Sequence, residues 1–152
     1  MRFRTILAVL VLLAASTMSV RASGFDDKIP DQQSINALEA KLNQAQPREM
    51  CFIYAELVHQ MTEFSLRQYA AGDVENANRL LLRIQHFANK IHLSVADDNK
   101  RLKNTEILLR HTAFRLKEML HDSSYEDRPL VQQTLAQVSQ AQNEAMMQVF
   151  RR

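Results

Sequence analysis

Residues 47–95, PREMCFIYAELVHQMTEFSLRQYAAGDVENANRLLLRIQHFANKIHLSV, decide the fold. Pro47 suits the first position of a helix, where its missing N–H would have had no partner. Met50, Tyr54, Leu57, Met61 and Phe64 then recur at helical spacing. Beside them runs a stripe of small residues, Cys51, Ala55, Val58, Thr62 and Ser65, which predicts a close helix–helix contact. Gly72 is a natural left-handed stop, and Asp73 a cap for the next helix. Val74, Ala77, Leu81, Ile84, Ala88, Ile91 and Val95 form the apolar stripe of that second rod. The stretch therefore reads as two long helices joined by a tight turn.

The rest of the chain extends the pattern. A short helix starts near Asp31 with Ile35, Leu38, Leu42 and Ala45 on one side. Asp97-Asp98-Asn99 offers a cap for a helix carrying Leu102, Leu109, Ala113, Leu116 and Leu120. Asp127 and Pro129 open a last one with Val131, Leu135, Val138, Ala145 and Val149. Two glycines and three prolines in 152 residues leave little scope for a sheet of short strands. Acidic residues (Glu49, Asp73, Glu75, Asp97, Asp98, Glu126, Asp127) gather at helix starts. Basic ones (Lys90, His92, Lys117, His121, Arg151, Arg152) gather at helix ends, as the macrodipole favours. The expected fold is all-α: an antiparallel up-down four-helix bundle over 31–152, preceded by a short extra helix lying across one end or along a groove.

Residues 1–22 set the expected compartment. Arg2 and Arg4 precede an apolar run from Ile6 to Ala15, and Val20-Arg21-Ala22 fits a cleavage site, the layout of a secretory signal peptide. The run is short for a membrane-spanning helix. Residues 23–30 read as a flexible leader. Export to the periplasm or beyond is the expectation, with an uncleaved anchor as the alternative. Losing Arg2, Arg4 and Arg21 would leave 16 of the 19 basic residues against 17 acidic ones. That balance speaks against a nucleic-acid partner. The single cysteine, Cys51, forms no intramolecular disulfide. It reads as a buried, inert thiol, with a disulfide-linked dimer as the alternative.

Chemistry is thinly represented. Glu56-Leu57-Val58-His59 and Glu118-Met119-Leu120-His121 repeat the Glu-x-x-His spacing of di-iron bundles, so Glu56, His59, Glu118 and His121 are the candidate metal ligands. Their heights do not match. Glu118 stands about 17 Å along the axis from Glu56 at 1.5 Å per residue, and Glu56 shares what reads as a solvated face with Glu49, Gln60, Glu63 and Arg67. The five histidines contain no i, i+4 pair, so no helix offers a two-histidine zinc face. Met50, Met61, Met119 and Met146 read as core filler rather than haem ligands. No cofactor and no enzymatic activity are expected.

Two basic faces are the candidate interaction surface: Arg79, Arg83 and Lys90, with His86, on one helix, and Lys103, Arg110 and Lys117 on another. They suit an acidic protein, an anionic membrane surface or an envelope polymer. The absence of aromatic residues among these charges argues further against single-stranded nucleic acid. The last helix has one charge, Glu144, between Leu130 and Phe150. Its amides Gln132, Gln133, Gln137, Gln140, Gln142 and Gln148, beside Ala141, Ala145, Met146 and Met147, suit self-association or a partner contact.

Ala70-Ala71-Gly72-Asp73-Val74-Glu75-Asn76-Ala77 resembles the hairpin turn of tetratricopeptide repeats. No second copy follows 34 residues on, where Glu106 and His111 stand. Pro47 to Glu63, Lys100 to Glu118 and the closing Gln148-Val149-Phe150-Arg151-Arg152 resemble an uncharacterised family of small exported bacterial helical proteins. That resemblance implies export and a helical fold, and brings no functional residue with it. The functional expectation is a non-enzymatic exported protein acting through protein contacts in the cell envelope. Metal or small-ligand binding within the bundle, and adhesion of a basic face to anionic lipid or polymer, are the alternatives.

Overall fold

The computed structural model of the chain describes residues 29–94 and 101–151, the side chains of 92–94 excepted. The expected signal peptide, most of the leader, Val95 and the Asp97-Asp98-Asn99 cap lie outside the described residues. The described chain is all-helical: α1 (Gln32–Leu42), α2 (Pro47–Ala70), α3 (Val74–Ser94), α4 (Leu102–Asp122) and α5 (Arg128–Phe150).

Local chemistry starts and stops these helices. At α1 the Ser34 N–H donates to Asp31 Oδ1 at 2.7 Å, while the Asp31 N–H donates to Ser34 Oγ at 3.0 Å. The two residues thus satisfy each other's orphan donors. Pro47 is the first residue of α2. Gly72 closes the α2–α3 turn at φ +82°, a left-handed conformation that side chains resist. The Asn76 N–H donates to Asp73 Oδ1 at 3.3 Å, as a cap should. The chain enters α4 through Arg101 at φ +62°, with its guanidinium 4.1 Å from the Phe52 ring centre. A non-glycine residue in that region costs on the order of 1 kcal/mol, and the stacked cation offsets part of it.

The small-residue stripe of α2 is interior throughout, and the larger one is interior except at its half-buried ends, Met50 and Phe64. Cys51, Ala55, Leu57, Val58, Met61, Thr62 and Ser65 are fully buried, and Ile53 and Tyr54 nearly so. They meet Ala77, Leu81, Ile84, Ala88 and Ile91 of α3, Leu109 and Leu116 of α4, and Val131, Val138, Ala141 and Ala145 of α5 in one core. Thr62, Thr112 and Thr134 are buried without penalty, because each hydroxyl donates to the carbonyl four residues back at 2.8 Å.

Side-chain pairs give the register. Tyr54 stacks with Phe87 at 6.0 Å, and the Ser65 hydroxyl donates to Ala77 O at 3.1 Å, so numbers fall along α3 as they rise along α2. Phe52 meets Arg101, His59 meets His111 and Glu63 meets Arg115, so numbers rise together along α2 and α4. Asn78 to Asp127 and Gln85 to Thr134 set the same sense for α3 and α5. Packing joins α2 to α3, α2 to α4, α3 to α5 and α4 to α5. Among the described residues the consecutive helices α3 and α4 do not pack on each other, although short connections favour neighbouring rods. The first helix settles on α2 and reaches α3 through an Arg83–Glu39 ion pair.

Candidate functional site

The α2–α4 seam is where polar side chains collect. Helical spacing places Glu56, His59, Gln60 and Glu63 on the flank of α2, and α4 answers with His111, Thr112, Arg115 and Glu118. This flank was expected to be solvated. It is half-buried instead, because α1 covers one side of it and α4 the other. Glu56 Oε2 and Gln60 Oε1 are buried with no hydrogen-bond donor among the described residues. Lys41 approaches the Glu56 carboxylate only to 3.9 Å. Burial raises the Glu56 pKa above the usual carboxylate range, and the charges of Lys41 and Arg101 only partly oppose it.

One turn further on, the His59 and His111 rings lie 5.3 Å apart, tilted by 57°. His59 Nδ1 is 3.0 Å from Thr112 Oγ1. The Thr112 hydroxyl already donates its one proton to Leu108 O at 2.8 Å, so it can only accept from the ring. That arrangement favours the tautomer with the proton on Nδ1 and the lone pair on Nε2. Burial holds the His59 pKa below the ordinary histidine value. Nearby Glu63 opposes that shift, while His111 and Arg115 add to it. Arg115 grips Glu63 through two bonds, Nε to Oε1 at 2.7 Å and Nη2 to Oε2 at 3.1 Å, and turns its third nitrogen to Glu118. The hydrogen bond to Glu63 is the main reason the Arg115 pKa is raised. His59, Glu63 and His111 each bring one donor atom within 4.8 Å of the others.

The quartet expected from the Glu-x-x-His spacing is not brought together. Glu56 faces α1, Glu118 belongs to Arg115, and His121 is exposed beside Lys117, Leu120, Arg128 and Gln132 around a depression of about 430 Å³. With α4 residues standing 52 positions beyond their α2 neighbours, Glu118 is level with position 66, about 15 Å from Glu56. Only His59 joins a cluster, and its partners are Glu63 and His111. A search for paired histidines along single helices misses that set, because the second histidine comes from another helix.

The predicted basic surface divides. On α3, Arg83 is taken up by Glu39, and Arg79 donates to Asn76, which leaves Lys90 and His86 outward beside exposed Leu82. On α4, Lys103, Arg110 and Lys117 are exposed along one arc, with Ile107 and Phe114 exposed between them at 45% and 57%. Phe114 corrects the reading that no aromatic side chain interleaves with these charges. A single ring still makes a poor platform for successive bases. The amide face of α5 is also split. Gln148 is buried, Gln142 donates to Glu106 of α4, and Ala141 and Ala145 belong to the core. Gln132, Gln133 and Gln140 are left outside, with Met147 half exposed.

A second polar knot lies at the end of α2. Asp127 is the N-cap residue of α5, as expected, but its carboxylate makes no capping bond and accepts from Asn78 at 3.0 Å, Ser124 at 2.7 Å and Tyr69 at 3.2 Å. Those bonds, from Asn78 foremost and then Ser124, hold its pKa below the usual carboxylate range. Tyr69 also takes the Ser124 N–H at 2.8 Å. The knot joins α2, α3 and the α4–α5 turn.

No helix among the described residues is long and apolar enough to cross a membrane. Comparison with protein-family models, with curated proteins and with solved structures found no match for this chain.

Proposed function

We propose that the chain is an exported, non-enzymatic four-helix bundle that works by contact with another protein of the cell envelope through the outer face of α4. In this reading α2–α3 and α4–α5 are two antiparallel hairpins laid side by side, with α1 closing the outside of the first. The register pairs across α2–α3, α2–α4 and α3–α5 support that arrangement. Export rests on the sequence of residues 1–22, and the resemblance to small exported helical proteins points the same way.

The observation that carries the functional reading is the stripe Lys103, Ile107, Arg110, Phe114 and Lys117. Spacings of three and four keep these residues on one side of the helix for about 21 Å. All five are exposed, and among the described residues only Arg110 has an acidic neighbour, Glu106 at 3.6 Å. An exposed aromatic and a branched aliphatic flanked by cations is the composition of an interface anchor with a charged rim. Its complement is an acidic surface with an apolar recess. Cys51, fully buried in the core, offers no accessible nucleophile.

The test is capture from envelope extract with tagged mature protein, comparing wild type with the triple variant K103E/R110E/K117E and with Phe114→Ser. A partner recovered with wild type and lost with both variants supports the proposal. Equal recovery with all three proteins contradicts it. Salt-sensitive binding of wild type to anionic phosphatidylglycerol vesicles, without any captured protein, would transfer the same stripe to a lipid surface and overturn the protein-partner reading.

A further inference from the structure

We propose that His59, Glu63 and His111 form a binding site for one divalent transition-metal ion, with Zn²⁺ as the reference ion. The three donor atoms already lie within 4.8 Å of one another on two packed helices. Tetrahedral coordination with bonds of about 2.0–2.2 Å brings ligand atoms to roughly 3.3 Å apart. Side-chain rotation closes that gap without moving a helix, since Glu63 has three rotatable bonds and His111 is exposed.

The surroundings suit the role. The Thr112 hydroxyl, itself anchored on Leu108 O, fixes the His59 ring by accepting from Nδ1 and leaves Nε2 as the ligating atom. This is the outer-shell arrangement that orients metal-binding histidines. Two imidazoles and one carboxylate select zinc or its first-row neighbours over calcium and magnesium, which take oxygen ligands. The fourth position would fall on the exposed His111 side and belong to solvent.

Arg115 is the competitor for Glu63. The ion must draw the carboxylate out of a two-bond grip, and Arg115 keeps Glu118 as its remaining anion. Arg115 therefore weakens the site, a property that a structural ion pair with no metal function would not share. Removing it frees a ligand and deletes a positive charge beside the ion.

The experiment is titration of the folded chain with ZnCl₂ against a chromophoric chelator, paired with the visible absorption of the Co²⁺ adduct. One ion per chain, a tetrahedral Co²⁺ spectrum and indifference to excess Mg²⁺ are expected. His111→Ala, on an exposed residue, should weaken binding at least about tenfold, and Glu63→Gln should do the same. Arg115→Gln should tighten it severalfold. The exposed controls His86→Ala and His121→Ala should bind as wild type does. Absence of stoichiometric binding, binding untouched by His111→Ala, or binding weakened by Arg115→Gln would overturn the proposal. Loss of binding in His121→Ala with retention in His111→Ala would also overturn it. His59→Ala is informative only if its circular dichroism matches wild type, and the exposed His111 variant decides the matter without it.

Discussion

Two polar groups on α2, a few turns apart, are treated in opposite ways. At the helix end, Tyr69 enters a knot in which Asp127 has three donors and its charge is favoured. Along the α2–α4 seam, Glu56 and Gln60 bury oxygens that find no donor among the described residues, and the charge of Glu56 is disfavoured. A carboxylate satisfied in this way contributes to stability and to a unique docking of elements, although Asn78 Oδ1 in the same knot finds no donor among the described residues. A half-satisfied polar group costs stability, and groups of that kind concentrate where a protein does something besides fold. The knot ties α2 and α3 to the α4–α5 turn. The seam gives up stability, and one turn along it lie the three converging donors of the proposed metal site.

The largest effect should come from breaking the knot. Asp127→Ala strands three donors, and about 2 kcal/mol of stability should be lost at neutral pH, read as a lower denaturant midpoint with an unchanged slope. The pH dependence has a definite sign. Because the folded pKa of Asp127 is depressed, its contribution is complete above the unfolded value of about 3.9 and lost as pH falls through the lower folded value. The gap between wild type and Asp127→Ala should therefore hold from neutral pH to about pH 5 and close below about pH 4.

A smaller effect tests whether the seam has the register described. A double-mutant cycle between Glu63 and Arg115 should return a coupling of about 1 kcal/mol, since the pair is bidentate and half-buried. The same cycle between Glu56 and Arg115 should return nothing measurable. Equal couplings would mean that α2 and α4 slide relative to each other. The smallest effect belongs outside both regions. K103E/R110E/K117E should change stability by no more than about 0.5 kcal/mol, because these side chains are exposed. A larger loss would show that the α4 stripe is structural rather than a contact surface.

Much of this molecule was legible in its sequence. Pro47 marks the start of α2, and Gly72 and Asp73 the α2–α3 turn, where the structure has them, and the stripe Cys51, Ala55, Val58, Thr62, Ser65 is buried throughout. Those signals are local, set by backbone conformation and by the 3.6-residue period. Pairing between non-consecutive helices is not encoded by any period. The meeting of α2 with α4 had to be seen before His111 could join His59, or before the Glu56 flank could be recognised as covered. Asp127 does open α5, but the destination of its side chain was hidden for a related reason. A carboxylate before a helix looks like a cap, and its donors Asn78 and Tyr69 come from 49 and 58 residues away. The exposed Phe114 among the α4 cations could have been found by placing residues 103, 107, 110, 114 and 117 on a helical wheel.

If the seam keeps polar groups at the expense of stability, the sign of one stability change will show it. Glu56→Gln combined with Gln60→Leu should raise the thermal midpoint at pH 7, corresponding to a gain of about 1 kcal/mol, with helicity unchanged. The raised folded pKa of Glu56 means that its neutral form is the tolerated one. Tolerance is complete below the unfolded value of about 4.3 and lost as pH rises through the folded value, so the gain should shrink towards pH 4. A double variant less stable than wild type at pH 7 would contradict the account and make the seam part of what holds the fold.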